Sequence, residues 1–204
     1  MARASGLNAV AAIILFALPL QLECFSQTPK KVTSPYEAEG FSCEGKPDGR
    51  LFDSPAKTYG YGRFRIAADL NFDGLMDLIL SRHPDVSTGC GTDSCDVVIY
   101  LSQPDKTYVE IGFDLHPLAV ALKRVSRGEG QLVTYAHISA SEGTLNLFKV
   151  TSNSVTPAGT KALHTNNSAS DKATYEGWFS GNQALKAESA SCARGQLVWS
   201  PLAN

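Results

Sequence analysis

Four oxygen-bearing side chains stand in the stretch Asp69-Leu70-Asn71-Phe72-Asp73-Gly74-Leu75-Met76-Asp77, at positions 1, 3, 5 and 9, with glycine at position 6. A hard cation such as Ca²⁺ is held by oxygens presented at this kind of spacing. Asp69, Asn71, Asp73 and Asp77 supply side-chain oxygens, and the Leu75 carbonyl can add a backbone oxygen. Gly74 allows the sharp bend. A metal-free Asp-Gly turn between strands explains the glycine but does not need four spaced oxygens. The chemistry expected here is therefore metal binding, with Ca²⁺ as the cofactor.

The flanks say which elements must position this loop. A helix–loop–helix site would want a bidentate glutamate at position 12, and that position is Leu80. Phe64, Ile66 and Ala68 alternate with Arg63, Arg65 and Ala67 before the loop, and Met76, Leu78 and Leu80 alternate with Asp77, Ile79 and Ser81 after it. Period-two patterning predicts strands on both sides. A strand–loop–strand unit carrying Asp-x-Asn-x-Asp-Gly-x-x-Asp resembles the calcium loop of FG-GAP and VCBS-type repeats, over roughly residues 64–83. The resemblance implies Asp69, Asn71, Asp73 and Asp77 as side-chain ligands and Leu75 as the backbone ligand. The signature occurs once, which argues against a full propeller, since propellers repeat their blades.

The wider order of features also resembles a group of small exported bacterial proteins. Those carry one such loop, then a paired-cysteine loop, then a Tyr-Leu strand; here these are Asp69–Asp77, Cys90–Cys95 and Tyr100-Leu101. That likeness implies an envelope location and calcium, and no activity.

The beginning of the chain points the same way. Arg3 precedes the apolar run Ala9–Leu20, which is short of the roughly 20 residues a membrane span needs and suits a signal-peptide core. Small residues at Cys24 and Ser26 predict cleavage after Ser26, hence a signal peptide over 1–26 and a periplasmic or secreted domain. A lipid on Cys24 is the weaker alternative, because Glu23 stands where that signal wants a small residue. Beyond the signal, no membrane span is expected.

Cys43, Cys90, Cys95 and Cys192 remain after the signal. An even count in an exported chain argues for disulfides. Three pairings are open; local closure of Cys90–Cys95 leaves Cys43–Cys192 to tie the two ends of the domain. A zinc site would need a second close pair of ligands, and free thiols fit a cytosolic location.

Residues 27–40 read as a flexible leader, and 41–204 as a single calcium-binding β domain. Strands are expected at 61–68, 76–82, 96–102, 107–113, 118–125, 131–138, 144–150 and 154–158, with 118–125 also the best candidate for a short helix. The fold class is mostly β: an antiparallel sheet or meander, partly propeller-like or a sandwich, stapled by disulfides. Residues 160–174 read as a surface loop holding the Asn166-Asn167-Ser168 sequon. Tyr175, Trp178 and Phe179 are expected to form a closing hairpin with Leu197-Val198-Trp199, around Cys192.

The formal net charge of −2 and the lack of a basic run argue against a nucleic-acid partner. No nucleophile elbow, zinc-protease helix or phosphate loop is present. His83, His116, His137 and His164 are scattered. The expectation is a non-enzymatic module that binds a protein partner, in one version an inhibitor or immunity protein. A secreted or periplasmic hydrolase with structural calcium is the alternative.

Overall fold

The computed structural model describes residues 30–51, 62–82, 95–139, 142–164 and 169–202, with the backbone alone at 137–139. The expected signal at 1–26, His83, Cys90, the His137 side chain and the 166–168 sequon lie outside the described residues.

The fold is mostly β and antiparallel. In chain order the elements are β1 (Lys30–Val32), α1 (Pro35–Ala38), β2 (Gly49–Arg50), β3 (Phe64–Ala68), β4 (Asp77–Ser81), β5 (Cys95–Ser102) and β6 (Tyr108–Leu115). Then come β7 (Val120–Ser126), β8 (Glu129–Ser139), β9 (Glu142–Val150), β10 (Val155–His164), α2 (Ala169–Ser180), β11 (Gln183–Ala184), β12 (Glu188–Ala193) and β13 (Gln196–Pro201). One sheet runs β1-β6-β5-β4-β3-β12-β13 with β2 paired to β12, and the other runs β10-β9-β8-β7-β11. The chain crosses to the second sheet after β6 and returns between β11 and β12.

Alternation along the strands decides the layering. Phe64, Ile66, Ile79, Val97, Ile99 and Leu101 on one face of the first sheet join Val120, Leu122, Leu132 and Val150 of the second in a shared core. Phe113 and Phe148 meet edge to face across it, with ring centroids 4.6 Å apart.

The strands β4 and β5 are buried throughout or nearly so, because the first sheet is covered on its other face too. Leu78, Leu80, Val98 and Tyr100 there pack beneath Phe41, Cys43 and Leu51, with Tyr36 and Trp199 alongside. The stretch read as a loose leader is thus structured from Lys30 onward. β1 pairs with β6, and the aromatic side chains that follow need this face for burial. The Cys43–Cys192 disulfide, with sulfurs 2.08 Å apart, fastens the cover to β12. Cys95 is also disulfide-bonded.

Of the two readings of 118–125 the strand holds, as β7: Val120 and Leu122 face the shared core while Ala121 faces outward, a period-two division that a helix would not give. Two further expectations fail. Residues 160–174 are not all surface loop: β10 runs on to His164 and α2 begins at Ala169. Tyr175, Trp178 and Phe179 do not form a hairpin with Leu197–Trp199. They lie on α2 and pack over Ala121, Val133, Leu145 and Leu163 on the outer face of the second sheet. The closing hairpin is β12–β13, turned by Arg194 and Gly195 at φ 52° and 73°, the left-handed pair that such tight turns require.

Candidate metal loop between the sheets

The nine-residue loop joins β3 to β4 at the end of the first sheet. Its backbone takes left-handed conformations at Phe72 (φ 57°) and Gly74 (φ 98°); the second is a region in which a side chain is strained. The predicted ligands shape the turn themselves. Asp69 accepts hydrogen bonds from the N–H groups of Asp73 and Gly74, at 3.1 and 2.9 Å. Asn71 is fully buried; its amide oxygen accepts from Asp73 N–H at 3.0 Å and its amide nitrogen donates to the Asp73 carboxylate at 2.9 Å. Asp73 in turn accepts from Leu75 N–H at 2.8 Å. These side chains replace backbone partners that a tight loop cannot offer.

Asp77 has a different role. It is fully buried and accepts from Leu70 N–H at 2.8 Å and from Ser102 N–H at 2.7 Å. It thereby closes the loop on itself and ties it to the end of β5. Ser102 reinforces the tie by donating its hydroxyl to the Met76 carbonyl. Burial is the main cause that pushes the Asp77 carboxyl up to about 7. The two backbone N–H groups oppose the rise, while the charges of Asp73 and Asp69 add to it.

The loop also touches the second sheet. Leu70 is fully buried in the shared core. Its carbonyl oxygen lies 1.9 Å from where a Cβ would stand on Gly130, so only glycine at the start of β8 admits this approach. Gly128 N–H points at the Phe72 carbonyl at 3.4 Å, and the Arg124 guanidinium lies 5.6 Å from the Phe72 ring. The loop is therefore a junction: β3, β4 and β5 of one sheet and the β7–β8 hairpin of the other all meet it.

The donor set suits a hard divalent cation in kind. Three carboxylates and a carboxamide share one loop, and among the described residues none of the three carboxylates has a cationic partner. Their oxygens accept from N–H groups of the loop and of Ser102 on β5, and among the described residues no three His, Cys, Asp or Glu side chains are grouped to hold a metal. Leu75 enters the hydrogen bonding through its N–H.

Sequence reasoning missed one titratable pair. Asp96 and Asp114 stand directly opposite each other on β5 and β6. Burial, then a hydrogen bond and like charge from Asp96, raise the Asp114 carboxyl to about 6, and the Arg82 charge partly offsets this. Two carboxylates this close cannot both ionise freely. The alternation of β5 and β6 carried the signal, but only a known register brings the two positions together. Of the scattered histidines, His116 lies on the crossover between the sheets, where its Nδ1 accepts from Leu118 N–H at 3.3 Å. His164 sits at the end of β10, 3.7 Å from Glu142. They do not meet in a common site.

No known family, no curated protein and no solved structure matches this chain. Among the described residues no helix is long and apolar enough to cross a membrane.

Proposed function

We propose that this chain is an exported, calcium-stabilised β domain that works as a non-enzymatic protein-binding module, with an inhibitor or immunity protein as its most specific form. The observation that carries the reading is the position of the Asp69–Asp77 loop. It is a joint between two sheets, so a cation bound there would stiffen the relation of the sheets rather than serve chemistry. Calcium generates hydroxide poorly compared with zinc, and each described candidate residue in the loop has a structural task. The disulfides and the signal-like start of the sequence support action outside the cytoplasm. Asp69, Asn71, Asp73, Asp77 and the Leu75 carbonyl would hold the ion.

The test is affinity capture from cell-envelope extract with the mature chain in calcium and in chelator. The captured protein is then purified and its binding measured directly. The reading expects a saturable partner whose affinity falls in chelator and no turnover of peptide, glycan or phosphoester substrates.

The hydrolase with structural calcium is retained as a second reading because of the Asp96–Asp114 pair, in which the Asp114 carboxyl is raised to about 6, toward the range that general acid–base work requires. Turnover by purified protein that is lost in Asp114→Asn, with folding unchanged, would decide for it.

A further inference from the structure

We propose that the cleft between helix α2 and the outer face of the second sheet binds an acidic saccharide. This open cleft of about 560 Å³ is lined by Lys123, Lys161, Thr174, Gly177, Trp178 and Asn182, among others. It lies on the face of the domain away from the shared core and apart from the Asp69–Asp77 loop.

The cleft carries unbalanced positive charge. Lys123 and Lys161 come from β7 and β10, and both are exposed. Among the described residues neither has an acidic partner, whereas Lys149 on the same sheet is paired with Glu129 at 2.6 Å. The Lys161 ammonium is held toward the helix by the Thr174 hydroxyl at 3.2 Å. Two ammonium groups facing one cleft without counter-charge attract an anion.

The rest of the lining says which anion. Trp178 packs partly against the apolar cluster beneath α2 and also lines the cleft, so it is a braced aromatic surface on which a sugar ring can lie. The cleft sits at the C-terminal half of α2, where the helix dipole is negative and the Gly177 and Trp178 carbonyls accept from Gly181 N–H and from the Asn182 side chain. That end disfavours a phosphate dianion, which binds at helix N-termini. It suits a ligand with many hydroxyl donors and a single negative charge per ring. A uronic acid sugar has that chemistry: its carboxylate meets the lysines, and its hydroxyls donate to the side-chain oxygens of Thr174 and Asn182, whose own donors are engaged by the Ser170 and Trp178 carbonyls.

Gly177 keeps the cleft open. A Cβ there would meet nothing within 4 Å, so a larger side chain fills the cleft without forcing the fold, and removing a helix-interior glycine favours the helix.

The experiment uses the full mature chain, labelled with ¹⁵N, and follows the Trp178 indole resonance during titration with tetragalacturonate. Its methyl ester, a nucleoside monophosphate and inorganic phosphate are titrated in parallel. The expected result is a saturable shift with tetragalacturonate. Affinity should fall about tenfold or more for the methyl ester and for Lys123→Gln/Lys161→Gln, which removes two charge-assisted contacts. It should also be lost in Gly177→Leu while the other amide resonances hold their positions. The proposal is overturned if tetragalacturonate gives no saturable shift, if the ester or either variant binds equally well, or if the nucleotide or phosphate binds more tightly than the uronide. Lys123 and Lys161 are exposed, so their substitution leaves the fold as a control.

Discussion

The two faces that lie outside the shared core are covered by different means. The first sheet's outer face is roofed by residues 30–51, which bring buried Phe41, Cys43 and Leu51 and a disulfide to β12. Its polar groups are matched as well: the Tyr100 hydroxyl donates to Glu39 at 2.7 Å, and Arg65 bonds Glu188 at 2.7 Å and Tyr36 at 2.8 Å. The guanidiniums of Arg63 and Arg65 lie 4.2 Å from the rings of Phe41 and Trp199. Among the described residues the second sheet's outer face is covered by α2, none of whose residues is buried. A face that is sealed twice serves stability. A face covered by one half-exposed helix leaves cleft and charge for a ligand.

The largest way to break this contrast is to remove the disulfide. Cys43 and Cys192 are 149 residues apart, and closing so long a loop is worth roughly 4–5 kcal/mol in the chain-entropy account. Denaturant unfolding of Cys43→Ser/Cys192→Ser should show a loss approaching that size, with the roof of the first sheet losing amide protection first.

The junction between the sheets should come next. Gly130→Ala sets a methyl against the Leu70 carbonyl, 1.9 Å away before relaxation. Forcing atoms into a closed contact typically costs about 1–3 kcal/mol, read as a lower denaturation midpoint. Asp77→Ala should lose about as much: it strands the buried N–H groups of Leu70 and Ser102, at roughly 1–3 kcal/mol for each unsatisfied group, and relief of the carboxylate's own burial offsets part of that sum.

The helix side should be more tolerant. Trp178→Ala removes a half-buried ring from α2, and about 1–2 kcal/mol is expected, less than for a fully buried tryptophan. A loss equal to that of Asp77→Ala would erase the distinction between the two faces.

A smaller effect belongs to pH. The Asp114 carboxyl is raised from 3.8 to about 6 in the folded state, so the folded chain holds this proton more tightly than the unfolded chain. Its contribution therefore favours folding below 3.8 and weakens as pH rises to about 6, beyond which it is constant. Asp114→Asn should flatten the thermal stability profile in that window and slightly raise stability above it.

Much of the first sheet was legible in the sequence because its signals are local. Phe64–Ala68 alternates, the loop spacing is contained in nine residues, and the turns carry Gly at Gly195 and Pro-Asp at Pro104-Asp105. The Cys43–Cys192 bond followed from counting, given a local partner for Cys95. The helix was not legible in the same way. Tyr175, Trp178 and Phe179 are spaced as one helical stripe, but Gly177 interrupts them and the preceding residues are Ser, Asn and Thr, which favour loops. The ordered start at Lys30 was hidden for another reason: three strand residues with two lysines look like solvated chain until β6 is there to pair with them. The cleft and the Asp96–Asp114 pair are products of register and crossover, which composition does not reveal.

The central claim is that the Asp69–Asp77 loop is a calcium-dependent joint between the sheets. Scanning calorimetry of the protein in millimolar calcium and in chelator, beside Asp73→Ala, tests it. Binding to the native state alone raises the melting temperature, and extracellular calcium modules commonly bind at about 10⁻⁴–10⁻³ M. The account predicts a calcium-dependent rise for the natural sequence that Asp73→Ala abolishes. Identical melting curves in calcium and chelator would contradict it.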